Sequence, residues 1–251
     1  MITDNAPDGD PAAKGNAGFR PYLGRYTFFH HSCMALSADD LLKRVEAACH
    51  HLAVPAGDSY LRSYPWLLAH VAAMTDSAPL DEGALVAVAH LVYGWMPTVL
   101  HLDFDALPTA LQRVEEARQG KVLTGSNLQQ IAAAVNHSVV GASKVLHFVN
   151  PTLYPIWDRR VYRFCHPSPT GSPAAVHDYQ VNNATAYFDY AEVCRRAVQL
   201  PAFERIHRAV MQQFRQYPAY ANRPVEPLRA LEFVMFSAGG GEATEDDKLN
   251  Y

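Results

Sequence analysis

Residues 83–102 form a stretch of 20 positions without a charged side chain, and this stretch limits the architectures open to the chain. Its length would suffice for a helix that crosses a membrane. However, two histidines and a proline interrupt it, and both flanks are acidic, whereas one flank of a membrane span is usually rich in Lys or Arg. From Leu85 to Trp95 the apolar side chains recur at intervals of three and four. This periodicity predicts a helix buried in the core of a globular protein.

The rest of the chain shows the same helical periodicity and no sustained alternation of apolar and polar residues. We therefore predict an all-α, multi-helix globular domain. Its helices are expected at about residues 37–52, 59–74, 79–97, 107–118, 126–135, 143–149, 159–164, 184–199, 202–216 and 226–237. Residues 165–183 contain three prolines and are predicted to form a loop.

The two ends of the chain differ in composition from its middle. Residues 1–19 are polar and acidic, without the basic start and apolar core of a signal peptide, and we predict a disordered arm. Residues 238–251 contain three consecutive glycines and four acidic residues, which predicts a flexible acidic tail. Between these ends we expect one helical domain, residues 20–237. The four cysteines include no Cys-x-x-Cys pair, which favours reduced thiols and a cytoplasmic location.

The net charge and the spacing of the histidines limit the partners, metal sites and cofactors that we expect. The net charge of −4 provides no general attraction to nucleic acid. Residues 141–237, however, hold 11 basic and 7 acidic residues, so that this part can present a local basic patch. The 12 histidines show no HExxH or similar spacing, and no Gly-rich phosphate loop occurs. We therefore expect no metal site and no cofactor.

Residues 128–164 contain the side chains that are best suited to catalysis. Lys144 falls in the first turn of the helix predicted at about residues 143–149, where the helix dipole disfavours a cation. The dipole and partial burial would lower the pKa of this lysine, and a neutral lysine is a nucleophile that forms Schiff bases. Asp158 can cap the next helix and still face a pocket shared with Lys144. Free amides of the turn at Gly141 are suited to hold a phosphate.

Two motifs within residues 126–165 resemble the helix-hairpin-helix DNA glycosylase superfamily, which includes the 8-oxoguanine glycosylases. Val140-Gly141-Ala142-Ser143-Lys144 looks like the family's hairpin and its nucleophilic lysine. Tyr154-Pro155-Ile156-Trp157-Asp158 looks like the apolar segment that ends in the family's catalytic aspartate. The chain departs from the family in having one hairpin glycine instead of two. Its Lys144 and Asp158 are also 14 residues apart, a few fewer than is usual.

The resemblance implies a helix-hairpin-helix glycosylase-like core and a DNA glycosylase or abasic-site lyase that acts on double-stranded DNA, with 8-oxoguanine as one candidate base. Lys144 would attack the anomeric carbon of the sugar, and Asp158 would stabilise the positive charge that develops there. No cysteine quartet follows, so an iron–sulfur cluster is not expected. The other implied site residues are Gly141, Ser143, Arg159, Arg160 and Arg163 for DNA binding, and His147 and Trp157 for the pocket.

Each of these residues also has a purely structural interpretation. Lys144 and the arginines can be solvated surface residues, Asp158 can act only as an N-cap, and His147 and Trp157 can belong to the core. The alternative function is a non-catalytic helical module of the same fold that binds DNA or protein. A third hypothesis is that the motifs match by chance in an unrelated helical protein. The residues do not distinguish DNA from RNA or a free nucleoside as the substrate.

Overall fold

All regular secondary structure in the described part of the chain is helical. The computed structural model describes residues 36–54, 57–76, 79–96, 98–168, 175–221 and 223–240. These residues form eleven α-helices and one 3-10 helix, and an isolated bridge between Leu102 and Val135 is their only β-type pairing. The predicted all-α fold is therefore confirmed. The predicted arm and residues 241–251 of the predicted tail lie outside the described residues.

Most helices lie close to where the sequence predicts them. They are α1 (Ala38–Cys49), α2 (Ser59–Thr75), α3 (Glu82–Trp95), α4 (Leu107–Arg118), α5 (Gly125–Ala134), α6 (Val139–Val149), α7 (Arg159–Cys165), α8 (Asp178–Val181), α9 (Ala184–Ala197), α10 (Phe203–Phe214) and α11 (Pro227–Ala238). The 3-10 helix, Pro218–Tyr220, lies between α10 and α11. The short α8 occupies part of the segment that was predicted to be a loop.

The start of α6 differs from the prediction in a way that matters for the site. Ser138 caps this helix, because its side-chain oxygen accepts a hydrogen bond from the Gly141 backbone N–H at 3.0 Å. The helix therefore begins at Val139, and Lys144 lies beyond its first turn. Since the helix dipole acts mainly within the first turn, the dipole effect expected for Lys144 does not apply. Any lowering of its pKa must come from burial or from neighbouring charges.

The core is built around α6. This helix packs against α2, α3, α4 and α5, and most of its residues are buried. The α3 helix carries the uncharged stretch and contributes Leu85, Val88 and Val92 to the core, as predicted. Within the ranges that the structure describes, no helix combines the length and the apolar character that crossing a membrane requires. The α11 helix packs against α1, α7 and α10.

The turn between α5 and α6 is fixed by the loop that follows α3. Asn136 and His137 have positive φ angles of 56° and 51°, a left-handed conformation in which Asn and His are enriched among non-glycine residues. The Asn136 side chain ties the turn to the loop. Its Oδ1 accepts a hydrogen bond from the His101 backbone N–H at 2.7 Å, and its Nδ2 donates to the Val99 carbonyl at 2.8 Å. The turn is therefore held in one conformation at the entrance to α6.

Gly141 allows α3 and α6 to approach each other closely. A Cβ added at Gly141 would lie 2.0 Å from Oη and 2.7 Å from Cζ of Tyr93. Tyr93 is buried, and its hydroxyl donates a hydrogen bond to the Val135 carbonyl at 3.1 Å. The tyrosine is thus anchored and has little room to move. The glycine of the hairpin motif is accounted for by helix packing.

We expect Gly141→Ala to lower the free energy of unfolding by about 1–3 kcal/mol, the usual cost of overpacking a buried site. Gly94→Ala is the matched control, because Gly94 is also helical but an added Cβ there meets no atom within 4 Å. Alanine at position 94 should be neutral or slightly stabilising, owing to its higher helix propensity. Urea denaturation of both variants measures the difference. Equal stability of the two variants would contradict the close packing of α3 on α6.

Candidate active site

A cavity of about 830 Å³ lies between the C-terminal end of α3, the turn before α6, α6 itself, the start of α7 and α11. Its volume falls within the range of about 300–1,000 Å³ that is typical of small-molecule sites. Aromatic and apolar side chains form much of the wall. The ionisable residues in the wall that bear on chemistry are Lys144, Asp158, Arg159, Arg160, Arg229 and Glu232.

Lys144 lines this cavity from the middle of α6. It is half-buried, whereas its neighbours Ser143 and Val145 are fully buried. Desolvation lowers the pKa of its amine, and the positive charge of Arg229 lowers it further, while Asp158 and Glu232 oppose this effect. A lowered pKa increases the fraction of neutral amine, which is the nucleophilic form of lysine. Burial thus supplies the effect that the sequence analysis assigned in part to the helix dipole.

Asp158 has two roles that coexist in the structure. It is the N-cap of α7, because its Oδ1 accepts a hydrogen bond from the Val161 backbone N–H at 2.9 Å. It also lines the cavity, and its charge interacts with that of Lys144. The cap fixes the carboxylate in place at the start of α7. An anion held in this way can stabilise positive charge that develops nearby in the cavity.

Arg229 and Glu232 were not identified from the sequence, and they add a second pair of charges to the cavity wall. Both are buried on α11, where the Arg229 Nη1 donates a hydrogen bond to the Glu232 Oε2. The guanidinium lies over the ring of Tyr64 at 4.8 Å from its centroid. Desolvation raises the pKa of Glu232 to about 7. The sequence feature that could have indicated this buried pair is two opposite charges three residues apart on an otherwise apolar helix.

The three arginines expected to bind DNA have different environments. Arg159 lines the cavity, donates to the Val176 carbonyl at 3.0 Å and pairs with Asp178. Arg160 also lines the cavity, and its guanidinium lies 4.6 Å from the centroid of the Phe236 ring. Arg163 donates to the Gly239 carbonyl at 2.9 Å and is not among the lining residues. The structure thus brings two of the three arginines to the cavity.

The other two residues expected to bind DNA, Gly141 and Ser143, are buried in α6. The Gly141 N–H is occupied by the Ser138 cap, and the Ser143 hydroxyl donates to the Val140 carbonyl at 2.8 Å. The neighbouring Val139 N–H donates to the Asn182 side chain at 2.6 Å. The structure therefore places Gly141 and Ser143 in helix packing and engages the Gly141 amide internally. The Gly141 and Val139 amides are therefore not available to hold a phosphate.

His147 and Trp157, the residues expected in the pocket, are fully buried in the core and are not among the cavity-lining residues. The His147 Nδ1 lies 2.7 Å from the Tyr154 carbonyl, and its Nε2 lies 2.8 Å from the Tyr64 hydroxyl. Since a carbonyl only accepts, Nδ1 donates and Nε2 accepts. Desolvation lowers the pKa of His147 to about 3 and keeps it neutral. Trp157 donates to the Val181 carbonyl at 2.9 Å.

The aromatic residues that do line the cavity come from helices outside the resembling segment. They are Tyr60, Tyr93, Trp95, Phe233 and Phe236. A flat, planar ligand can stack against such a wall. Their helical spacing alone could not distinguish them from ordinary core residues. Only the tertiary arrangement of α2, α3 and α11 around the cavity brings them together.

No metal cluster is present among the described residues, where no group of three or more His, Cys, Asp or Glu side chains is suitably placed. Comparisons with family models, with curated proteins and with solved structures found no match for the chain. The geometry of the cavity and the short motifs that its residues form are therefore the features that bear on function.

Proposed function

We propose that this chain is a DNA base-excision glycosylase with a helix-hairpin-helix glycosylase-like core, and that Lys144 is its nucleophile. The observation that carries the proposal is that Lys144 and Asp158 line the same cavity and interact electrostatically. These are the two residues that resemble the catalytic pair of that superfamily. Burial lowers the pKa of the lysine, as a nucleophilic role requires.

The proposed reaction uses both side chains. The neutral Lys144 amine attacks the anomeric carbon of the nucleotide, and the bond from this carbon to the base nitrogen breaks. The base departs with the bonding electrons and takes up a proton. The amine adduct then passes a proton to the ring oxygen as the bond from the anomeric carbon to that oxygen breaks, which opens the sugar ring and gives a protonated Schiff base to Lys144. The Asp158 carboxylate stabilises the positive charge that develops on the sugar.

The cavity is compatible with a nucleotide that has left the stack of a duplex. Enzymes of this kind hold the extruded base in a pocket and stack it on aromatic or apolar side chains. The cavity volume of about 830 Å³ and the aromatic wall fit that requirement. Arg159 and Arg160 add positive charge at the wall, where it can attract phosphates. As the resemblance implies, 8-oxoguanine is the first base to test.

One observation favours the alternative, a non-catalytic binding module of the same fold. The Gly141 and Val139 amides of the hairpin are satisfied internally by Ser138 and Asn182, so that these two amides do not offer a phosphate site. In our proposal, the arginines at the cavity take over the phosphate contacts. The two functions differ in whether a covalent adduct forms, and this difference can be measured.

We expect borohydride to trap a covalent adduct between the protein and a labelled duplex that carries 8-oxoguanine, uracil or an abasic site. Lys144→Gln should abolish the adduct but retain DNA binding, because only the nucleophile is lost. Lys43→Gln is the matched control, since the Lys43 side chain is 77% exposed on α1 and should leave trapping unchanged. Undiminished trapping by Lys144→Gln would overturn the proposal, as would the absence of any adduct with all three duplexes. Binding without an adduct would support the non-catalytic module.

Asp158→Asn separates the capping role of this residue from its charge. Asn caps helices as well as Asp does, so the free energy of unfolding should change by less than about 0.5 kcal/mol, whereas Asp158→Ala should cost about 1 kcal/mol. The rate of base release by Asp158→Asn should fall by at least about 100-fold, because the stabilising charge is gone. Single-turnover kinetics and thermal denaturation measure the two effects. A rate for Asp158→Asn equal to that of the native protein would leave only the capping role.

A further inference from the structure

Two buried residues in the cavity wall have no role in the reaction as described so far. Arg229 and Glu232 form an ion pair on α11, and both line the cavity together with Lys144 and Asp158. Burying such a pair gives little net stability, because desolvation offsets most of the attraction between the charges. The position of this pair in the same cavity wall as the proposed nucleophile therefore indicates a chemical role.

Glu232 has one carboxylate oxygen available for chemistry. Its Oε2 accepts a hydrogen bond from Arg229, whereas its Oε1 has no hydrogen-bond donor among the described residues. The residue is only 1% exposed, and yet it contributes to the cavity wall. A carboxylate oxygen at a cavity wall can accept a hydrogen bond or hold a proton.

Glu232 and Lys144 line the same cavity, across which a proton can pass through one water molecule. Burial raises the pKa of Glu232 to about 7 and lowers the pKa of Lys144. The two charges also interact with each other across the cavity. The state with an ammonium and a carboxylate and the state with an amine and a carboxylic acid therefore differ less in free energy than they would in water. Such groups titrate as a unit, and their apparent pKa values belong to the pair.

The other groups around Glu232 do not compete for this proton. Tyr64, Tyr190 and Cys194 interact with Glu232, but burial raises the pKa of each above its ordinary value and keeps it neutral. Asp158 is engaged in the cap of α7. On α1 and α10, which also pack against α11, Glu46 pairs with Arg205 and Glu204 pairs with Arg208 at the surface.

We propose that Glu232 is the proton relay of this site, which takes a proton from the Lys144 ammonium before attack and gives a proton to the departing base. The inference rests on the proposed glycosylase function and extends it to a third ionisable group. The Lys144 ammonium transfers one proton, through a water molecule in the cavity, to the Glu232 carboxylate, which yields a neutral amine and a carboxylic acid. The amine forms its bond to the anomeric carbon, the bond to the base breaks, and the carboxylic acid protonates the base. Glu232 returns to the carboxylate form.

Glu232→Gln tests the relay directly, because glutamine keeps the shape and can accept from Arg229 but cannot carry the proton. We expect the single-turnover rate of base release at pH 7 to fall by at least about 100-fold, within the range for loss of a general acid–base group. The native pH profile should be bell-shaped, because the active form holds one proton on the Lys144–Glu232 pair. In the variant, the descending alkaline limb should disappear, since no proton donor is left to lose.

If Glu232 acted only through its negative charge, Glu232→Gln would not lower the rate of base release. The negative charge of Glu232 raises the pKa of Lys144, so that its removal would increase the neutral amine and leave the rate at pH 7 unchanged or higher. Glu204→Gln, at an exposed pair on α10, is the control for the substitution itself. A rate for Glu232→Gln within about threefold of native, with the bell-shaped profile retained, would overturn the relay.

The variant leaves Arg229 buried without its partner, which can destabilise the fold. The double variant Arg229→Gln/Glu232→Gln removes both charges and avoids this problem. We expect the same loss of rate and of the alkaline limb, with native affinity for a duplex that contains an uncleavable abasic-site analogue. If the native protein releases base and the double variant does so equally well, only the relay is wrong. If the native protein releases no base from any duplex, the glycosylase function fails and the relay fails with it.

Discussion

The burial of charged groups around α6 is the constraint on which the rest of the site depends. Packing of α6 against four other helices removes most of its side chains from water and leaves Lys144 at the cavity wall. Desolvation then acts on Lys144 and on Glu232 in the same direction, towards the neutral form. The half-buried lysine and the buried carboxylate line one cavity, and each is costly to charge there. In our proposal a proton passes between them.

The fold accommodates these charges by pairing them and by surrounding them with aromatic rings. Arg229 is held between its ion pair with Glu232 and the face of Tyr64, and Asp158 is held by the first turn of α7. Each contact fixes a charge in position and offsets part of its desolvation cost. Preorganised charges of this kind contribute most to catalysis when they face a dry cavity. The proposed chemistry at Lys144 uses the charges that this packing holds in place.

The sequence predicted the parts of this account that depend on local patterns. The helical class, the buried α3 helix and the capping position of Asp158 follow from periodicity and N-cap preferences. The start of α6 was predicted four residues too late, because the cap by Ser138 was not recognised. Arg229 and Glu232 were missed, because a pair of opposite charges on a helix normally indicates a solvated face. Their burial follows only from the packing of α11, which no local pattern contains.

The most direct test of the central claim is the pKa of the Lys144 amine in the folded protein. Competitive acylation at a series of pH values, followed by digestion and mass spectrometry, gives the pH of half-maximal reactivity for each lysine. Because this midpoint does not depend on how accessible the amine is, exposed Lys43 serves as an internal reference. The account predicts a midpoint for Lys144 clearly below that of Lys43. A midpoint equal to or above that of Lys43 would contradict the view that burial prepares Lys144 as a nucleophile.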